Sequence, residues 1–141
     1  MPTPARNAEA DAIWRNLSRL VMDNKDTWRR AVVGETGLPW SRIRILTRLA
    51  RNAMTVKEVA AAATVDAPAA TVAVNDLEER GLVLRVIDPN NRRCKLVSLT
   101  EAGRDVVAAI RGVDDPAPAV LADLDPAELA TLGALVAKMI G

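Results

Sequence analysis

A chain of 141 residues is long enough for one domain whose core needs neither metal nor disulfide. Half of the residues are hydrophobic, but Tyr, Phe and His are absent and Trp14, Trp28 and Trp40 are the only aromatics; the core must be aliphatic, and His-based acid–base chemistry and His-ligated zinc are excluded. The net charge of +1 conceals a polarity, because residues 42–95 carry ten basic against six acidic side chains and residues 112–141 carry one against five.

Two prolines and little apolar content make residues 1–7 a flexible arm. Apolar positions at Ala10, Ile13, Leu17, Leu20, Val21 and Trp28, with Asn24 as a polar interruption, then predict a helix over 8–28. Its stripe packs either on the chain's own core or on a second subunit. Glycines and a proline mark 33–39 as a loop. A second helix is predicted over 40–51, with Ile43, Leu46, Leu49 and Ala50 inward and Ile45 at the margin. Arg42, Arg44, Arg48 and Arg51 decorate the remainder, as a solvated or internally paired face or as phosphate contacts.

Thr55 and Glu58 form a capping box, in which each side chain satisfies an orphan amide at the start of a short helix over 56–62. After a turn at Ala63-Thr64-Val65, Asp66 is placed as the N-cap of a helix that runs to Arg80 and stops at Gly81. Ala70, Val74 and Leu77 face inward, and the opposite face shows Pro68, Ala69, Thr71, Val72, Asn75 and Asp76. Branched residues predict paired strands over 82–87 and 95–99, joined by a turn-rich loop over 88–94 that carries Arg92 and Arg93 at its tip.

Thr100 caps a helix over 101–111, residues 112–118 interrupt it, and Asp125, Pro126 and Glu128 restart a helix. That last helix carries Leu129, Leu132, Leu135, Val136, Met139 and Ile140 on one stripe, which suits burial against a partner subunit. The fold class expected is mainly α with a small β-hairpin wing. It is a winged helix-turn-helix with N- and C-terminal dimerisation helices. Four segments follow: the arm at 1–7, a dimerisation helix and loop at 8–39, the winged DNA-binding region at 40–103, and C-terminal dimerisation helices at 104–141.

Helix, turn, helix and Arg-bearing hairpin make a module for docking on duplex DNA. Its most specific residues are Leu77-Glu78-Glu79-Arg80-Gly81-Leu82-Val83, Asp88-Pro89-Asn90-Asn91-Arg92-Arg93 and Leu99-Thr100-Glu101-Ala102-Gly103. In order and spacing this stretch resembles the MarR family of transcriptional regulators, over about sixty residues. The resemblance implies a homodimer in which terminal helices intertwine and two winged domains reach consecutive major grooves. It also implies a repressor released by a small phenolic or anionic ligand. By position, Pro68, Ala69, Thr71, Val72 and Asn75 face bases, and Arg92, Arg93 and Lys95 contact the backbone.

The chain departs from the family at two places. Asn91 stands where an acidic residue usually braces the second wing arginine. The recognition helix has no basic residue before Arg80, while Asp66 and Asp76 would repel phosphates. Either Ala69, Val72 and the Thr71 methyl pack on thymine methyls while Asn75 reads an adenine, or the winged domain docks on protein. A constitutive DNA-binding protein without a ligand is the third reading.

One cysteine, Cys94, forms no internal disulfide; it is a plain strand residue or, beside Arg92, Arg93 and Lys95, a reactive thiol. The acidic residues of 114–128 read as helix caps and a solvated linker rather than a metal site. No phosphate-cradling glycine loop or nucleophile turn argues for an enzyme or a cofactor. No apolar run approaches the ~18 residues of a membrane span, and the start of the chain has no secretory segment. A cytoplasmic protein is expected.

Overall fold

The computed structural model describes residues 5–141; residues 1–4 of the expected arm lie outside them. The elements are α1 (Ala8–Thr36), α2 (Trp40–Leu49), α3 (Val56–Ala63), α4 (Ala67–Glu79), β1 (Val83–Asp88), β2 (Asn91–Leu99), α5 (Glu101–Arg111), α6 (Ala119–Ala122) and α7 (Pro126–Ile140). They form two compact units. One is Lys25–Asp114, and the other joins the first half of α1 to Asp115–Gly141.

The aliphatic core lies wholly within the unit Lys25–Asp114. Ile43, Leu46, Val59, Val74, Leu77, Val83 and Val97 are fully enclosed there, and no polar side chain is buried among the described residues. Ile45, expected at the margin of α2, is also buried. Edge-to-face packing of Trp28 on Trp40, ring centroids 5.5 Å apart, closes one end of this core.

The first helix is longer than its stripe suggests, and most of the expected loop at 33–39 is helical. Val32 is completely buried in α1 and Leu38 nearly so just beyond it, which anchors the chain on both sides of Gly34. Burying a valine is worth about 1.5–3 kcal/mol, whereas a glycine inside a helix costs only about 0.5–1 kcal/mol. The helix therefore continues. It ends where the Thr36 hydroxyl donates to the Val32 carbonyl at 2.8 Å and Gly37 turns left-handed at φ 68°.

Thr55 and Glu58 form the expected capping box, and α3 ends at Thr64 in a left-handed conformation, φ 56°. Val65 donates back to the Ala60 carbonyl at 3.0 Å, which closes the tight turn of the helix-turn-helix. Asp66 caps α4 by accepting from the Ala69 amide at 2.8 Å. At the other end Gly81, φ 75°, lets Leu82 donate to the Leu77 carbonyl at 3.0 Å. The chain then enters the hairpin directly.

Strands β1 and β2 pair antiparallel from Val83 opposite Leu99 to Ile87 opposite Lys95, and Asp88 then faces Asn91. The register breaks there, so Arg92, Arg93 and Cys94 bulge from β2 without partners on β1. These arginines thus sit at the start of a strand, and the turn is shorter than the expected loop over 88–94. Met54 bridges Val97 at the base of the hairpin, which ties the wing to the entry of α3.

Helix α5 rests on the hairpin through Gly103. A Cβ there would collide with the Leu82 carbonyl oxygen and lie 3.2 Å from Cδ2 of Leu99. The Thr100 hydroxyl donates to the Gly81 carbonyl at 2.6 Å and accepts from the Gly103 amide at 3.0 Å. Residues 112–118 break the helical run, with the short α6 beyond them, and Asp125 and Glu128 cap α7 reciprocally.

In the second unit, α7 buries no residue, and Leu135, Met139 and Ile140 are 54%, 67% and 79% exposed. Ile13 on α1 is 52% exposed, so most of the α1 stripe is uncovered in the single chain. Ile13, Leu17, Leu132, Leu135, Val136 and Met139 line a cleft of about 510 Å³. Among the described residues no helix is long and apolar enough to cross a membrane.

Candidate nucleic-acid interface

The 3.6-residue period puts Ala70, Ala73, Val74 and Leu77 of α4 into the core. Pro68, Ala69, Thr71, Val72 and Asn75 are left exposed together, with Val72 61% accessible. The Thr71 hydroxyl donates to the Ala67 carbonyl at 3.0 Å. That satisfies its proton within the helix and leaves the methyl and the oxygen lone pairs for a partner. This face is small, apolar and uncharged, a shape that suits the methyl groups of a major groove.

Two acids of α4, Asp76 and Glu78, are engaged by arginines. Arg42 Nε lies 3.0 Å from Asp76, and Arg80 Nε lies 3.1 Å from the same carboxylate. The Arg42 hydrogen bond holds the Asp76 carboxyl below its ordinary 3.8, with Arg80 acting in the same direction and burial opposing both. Asp66 faces the amide end of its own helix, where a negative charge is favourable. At Asp76 the charge expected to repel phosphates is therefore offset by cations that α2 and the end of α4 supply.

A further cation escapes sequence reasoning altogether. Arg85 of β1, its side chain 23% exposed, reaches back across α4. One terminal nitrogen lies 2.9 Å from Glu78 Oε1, and the other donates to Asn75 Oδ1 at 2.7 Å. Only the crossing of β1 over α4 reveals the pairing; an alternating strand pattern carries no hint that one of its arginines grips the preceding helix.

On the wing, Arg92, Arg93 and Lys95 are exposed and make no ion pair among the described residues. Asn91 braces the backbone of this bulge rather than a guanidinium. Its Oδ1 accepts from the Arg93 amide at 3.3 Å, and its Nδ2 lies 3.4 Å from the half-buried Cys94 sulfur. Arg44, Arg48 and Arg51 are likewise outside any ion pair among the described residues, whereas Arg29 stacks over Trp40 at 4.9 Å. Trp14 is exposed in the other unit.

A separate cleft of about 360 Å³ opens between the end of α2, the end of β2 and α5. Leu49, Leu99 and Val107 form its apolar floor, with Asn52, Ser98, Arg104 and Arg111 at the rim. Its volume lies in the range of small-molecule pockets, and polar groups contribute at least as much of its lining as apolar ones. Among the described residues no group of three or more His, Cys, Asp or Glu side chains is arranged to hold a metal ion.

Comparison with known proteins agrees with this geometry. Residues 36–93 match the MarR family. An uncharacterised HTH-type transcriptional regulator of Bacillus subtilis (strain 168), YwaE, is 26% identical over 108 residues, which are 76% of this chain and 63% of that protein. The chain thus spans less than two thirds of that relative's length. Among solved structures, NadR in complex with 4-hydroxyphenylacetate is similar at a TM-score of 0.64 and 25% identity, with 99% of this chain and 97% of NadR covered. A point mutant of MepR from S. aureus, bound to an oligodeoxyribonucleotide, superposes at a TM-score of 0.60 with 20% identity, covering 90% and 95% of the two chains. The chain, mainly helical with one antiparallel hairpin, shares the fold of these structures.

Proposed function

We propose, from the match of residues 36–93 to the MarR family, that the chain is a homodimeric, sequence-specific DNA-binding regulator, acting in the cytoplasm as a repressor that a small anionic or phenolic molecule releases. The observation that carries this reading is the exposed, uncharged face of α4 flanked by the unpaired wing cations Arg92, Arg93 and Lys95. Apolar groups of Ala69, Thr71 and Val72 read thymine methyls, Pro68 starts the helix at the groove, and Asn75 supplies the polar contact. The wing cations neutralise phosphates. Dimerisation is supported by the uncovered apolar stripes of α1 and α7, whose natural cover is the same surface of a second copy.

A ligand reading is supported by the cleft rimmed by Arg104 and Arg111, whose charges suit an anion and whose floor suits an aromatic ring. NadR, similar in fold, is known with 4-hydroxyphenylacetate. The test is a binding selection on random duplexes. It should return a two-fold symmetric consensus whose half-site centres lie about one helical turn, ~34 Å, apart. If no sequence is enriched, the winged domain docks on protein instead.

A further inference from the structure

Arg85 fixes which edge of Asn75 faces a base. Arginine has only donors, so its 2.7 Å contact must be to the amide's carbonyl oxygen, and the opposite assignment of the Asn75 amide is excluded chemically. The guanidinium is itself held at 2.9 Å by Glu78 on the same helix, so three side chains form one bridged set across α4 and β1. The Asn75 amide nitrogen makes no hydrogen bond among the described residues, and the side chain is exposed. The group on offer is a pair of N–H donors beside a positive charge.

We propose that Arg85 is a specificity-determining positioning residue that makes Asn75 read an acceptor edge, guanine O6 and N7, in place of adenine. A bidentate contact to adenine needs the asparagine oxygen to accept from N6 while the nitrogen donates to N7. Here Arg85 takes one of the two lone pairs of that oxygen, and its positive charge beside the other repels the adenine amino group, itself a donor. Guanine presents two acceptors at the same place, which both the donor pair and the charge favour. Glu78 sets the position of Arg85 and cancels part of its charge, so the set contributes direction more than general attraction to phosphate.

The inference rests on the DNA-reading function proposed above, and one experiment separates the two. Random-duplex selections are run with the full-length protein and its N75A, R85A, R85K and E78Q variants, each checked for cooperative unfolding. The wild type should enrich guanine at one half-site position, and N75A should lose the preference at that position only. R85A, with the oxygen freed, should shift that position toward adenine by about tenfold, the scale of one good bidentate contact. R85K keeps a donor and should hold the guanine preference, while E78Q should weaken it. A purely structural role for Arg85 would lower affinity for every sequence and leave the base preference unchanged. A consensus with adenine at the Asn75-dependent position, or one that is the same in wild type and R85A, overturns the positioning role while leaving DNA recognition intact. A wild type that enriches nothing overturns both.

Discussion

Replacing Gly103 with alanine should destabilise the winged domain severely, because this glycine is where α5 seats on the hairpin. The added methyl would collide with the Leu82 carbonyl oxygen, lie 3.1 Å from the Leu82 carbonyl carbon and crowd Leu99 at 3.2 Å. Two of these atoms are backbone and cannot rotate away, so the helix itself must move. Overpacking of this kind costs about 1–3 kcal/mol. A shift of α5 also breaks the bonds from Thr100 to the Leu82 and Gly81 carbonyls, at 3.1 and 2.6 Å. Each is worth about 0.5–1.5 kcal/mol, which brings the loss to roughly 2–6 kcal/mol against a total of about 5–15 for an ordinary domain. Urea denaturation should show a lowered midpoint with an unchanged slope. Gly34, with no atom within 4 Å of an added Cβ inside α1, is the control, and its alanine variant should gain about 0.5–1 kcal/mol. Equal midpoints for G103A and wild type would refute the seating argument.

Asp76→Asn should destabilise the protein near neutral pH by weakening the link of α4 to Arg42 and Arg80. Because the folded carboxyl titrates below its ordinary 3.8, its contribution is present above that value and lost as pH falls through the lower folded value. The stability difference between the variants, followed by denaturant titration across pH, should therefore be constant from about pH 5 upward and close in acid; a difference that persists in acid would remove the carboxylate from the account. Leu132→Asp, in the apolar cleft of α1 and α7, should dissociate or unfold the chain, since an unpaired charge there costs several kcal/mol; sedimentation at micromolar concentration that still shows a folded dimer would contradict the proposed interface. Arg92→Ala and Arg93→Ala should each weaken binding to all duplexes and shallow the logarithmic salt dependence by about one unit per lost phosphate contact; binding unchanged at low and high salt would exclude the wing.

Local chemistry made much of the secondary structure legible. Capping residues Thr55, Asp66, Thr100 and Asp125 announced their helices, and Gly81 its stop, because these effects act within a few residues. The end of α1 was not legible, since the burial of Val32 and Leu38 that carries the helix through Gly34 is a tertiary effect. The same holds for the site. Periodicity identified the exposed face of α4, but the neutralisation of Asp76 by Arg42, 34 positions away, and the grip of Arg85 on Asn75 depend on elements that pack from elsewhere in the chain. The bulge of Arg92, Arg93 and Cys94 was also hidden, because turn residues fix where a hairpin reverses and not how its strands pair beyond.

In the proposed function, two copies of this chain read one duplex with α4 and the wing of each. Hydroxyl-radical footprinting of the wild type on its selected duplex tests this most directly. Two equivalent protected segments related by a two-fold axis are expected, centred about one helical turn apart, with flanking protection that disappears in the R92A/R93A double variant. A single asymmetric footprint, or protection spread evenly along the duplex, would contradict it.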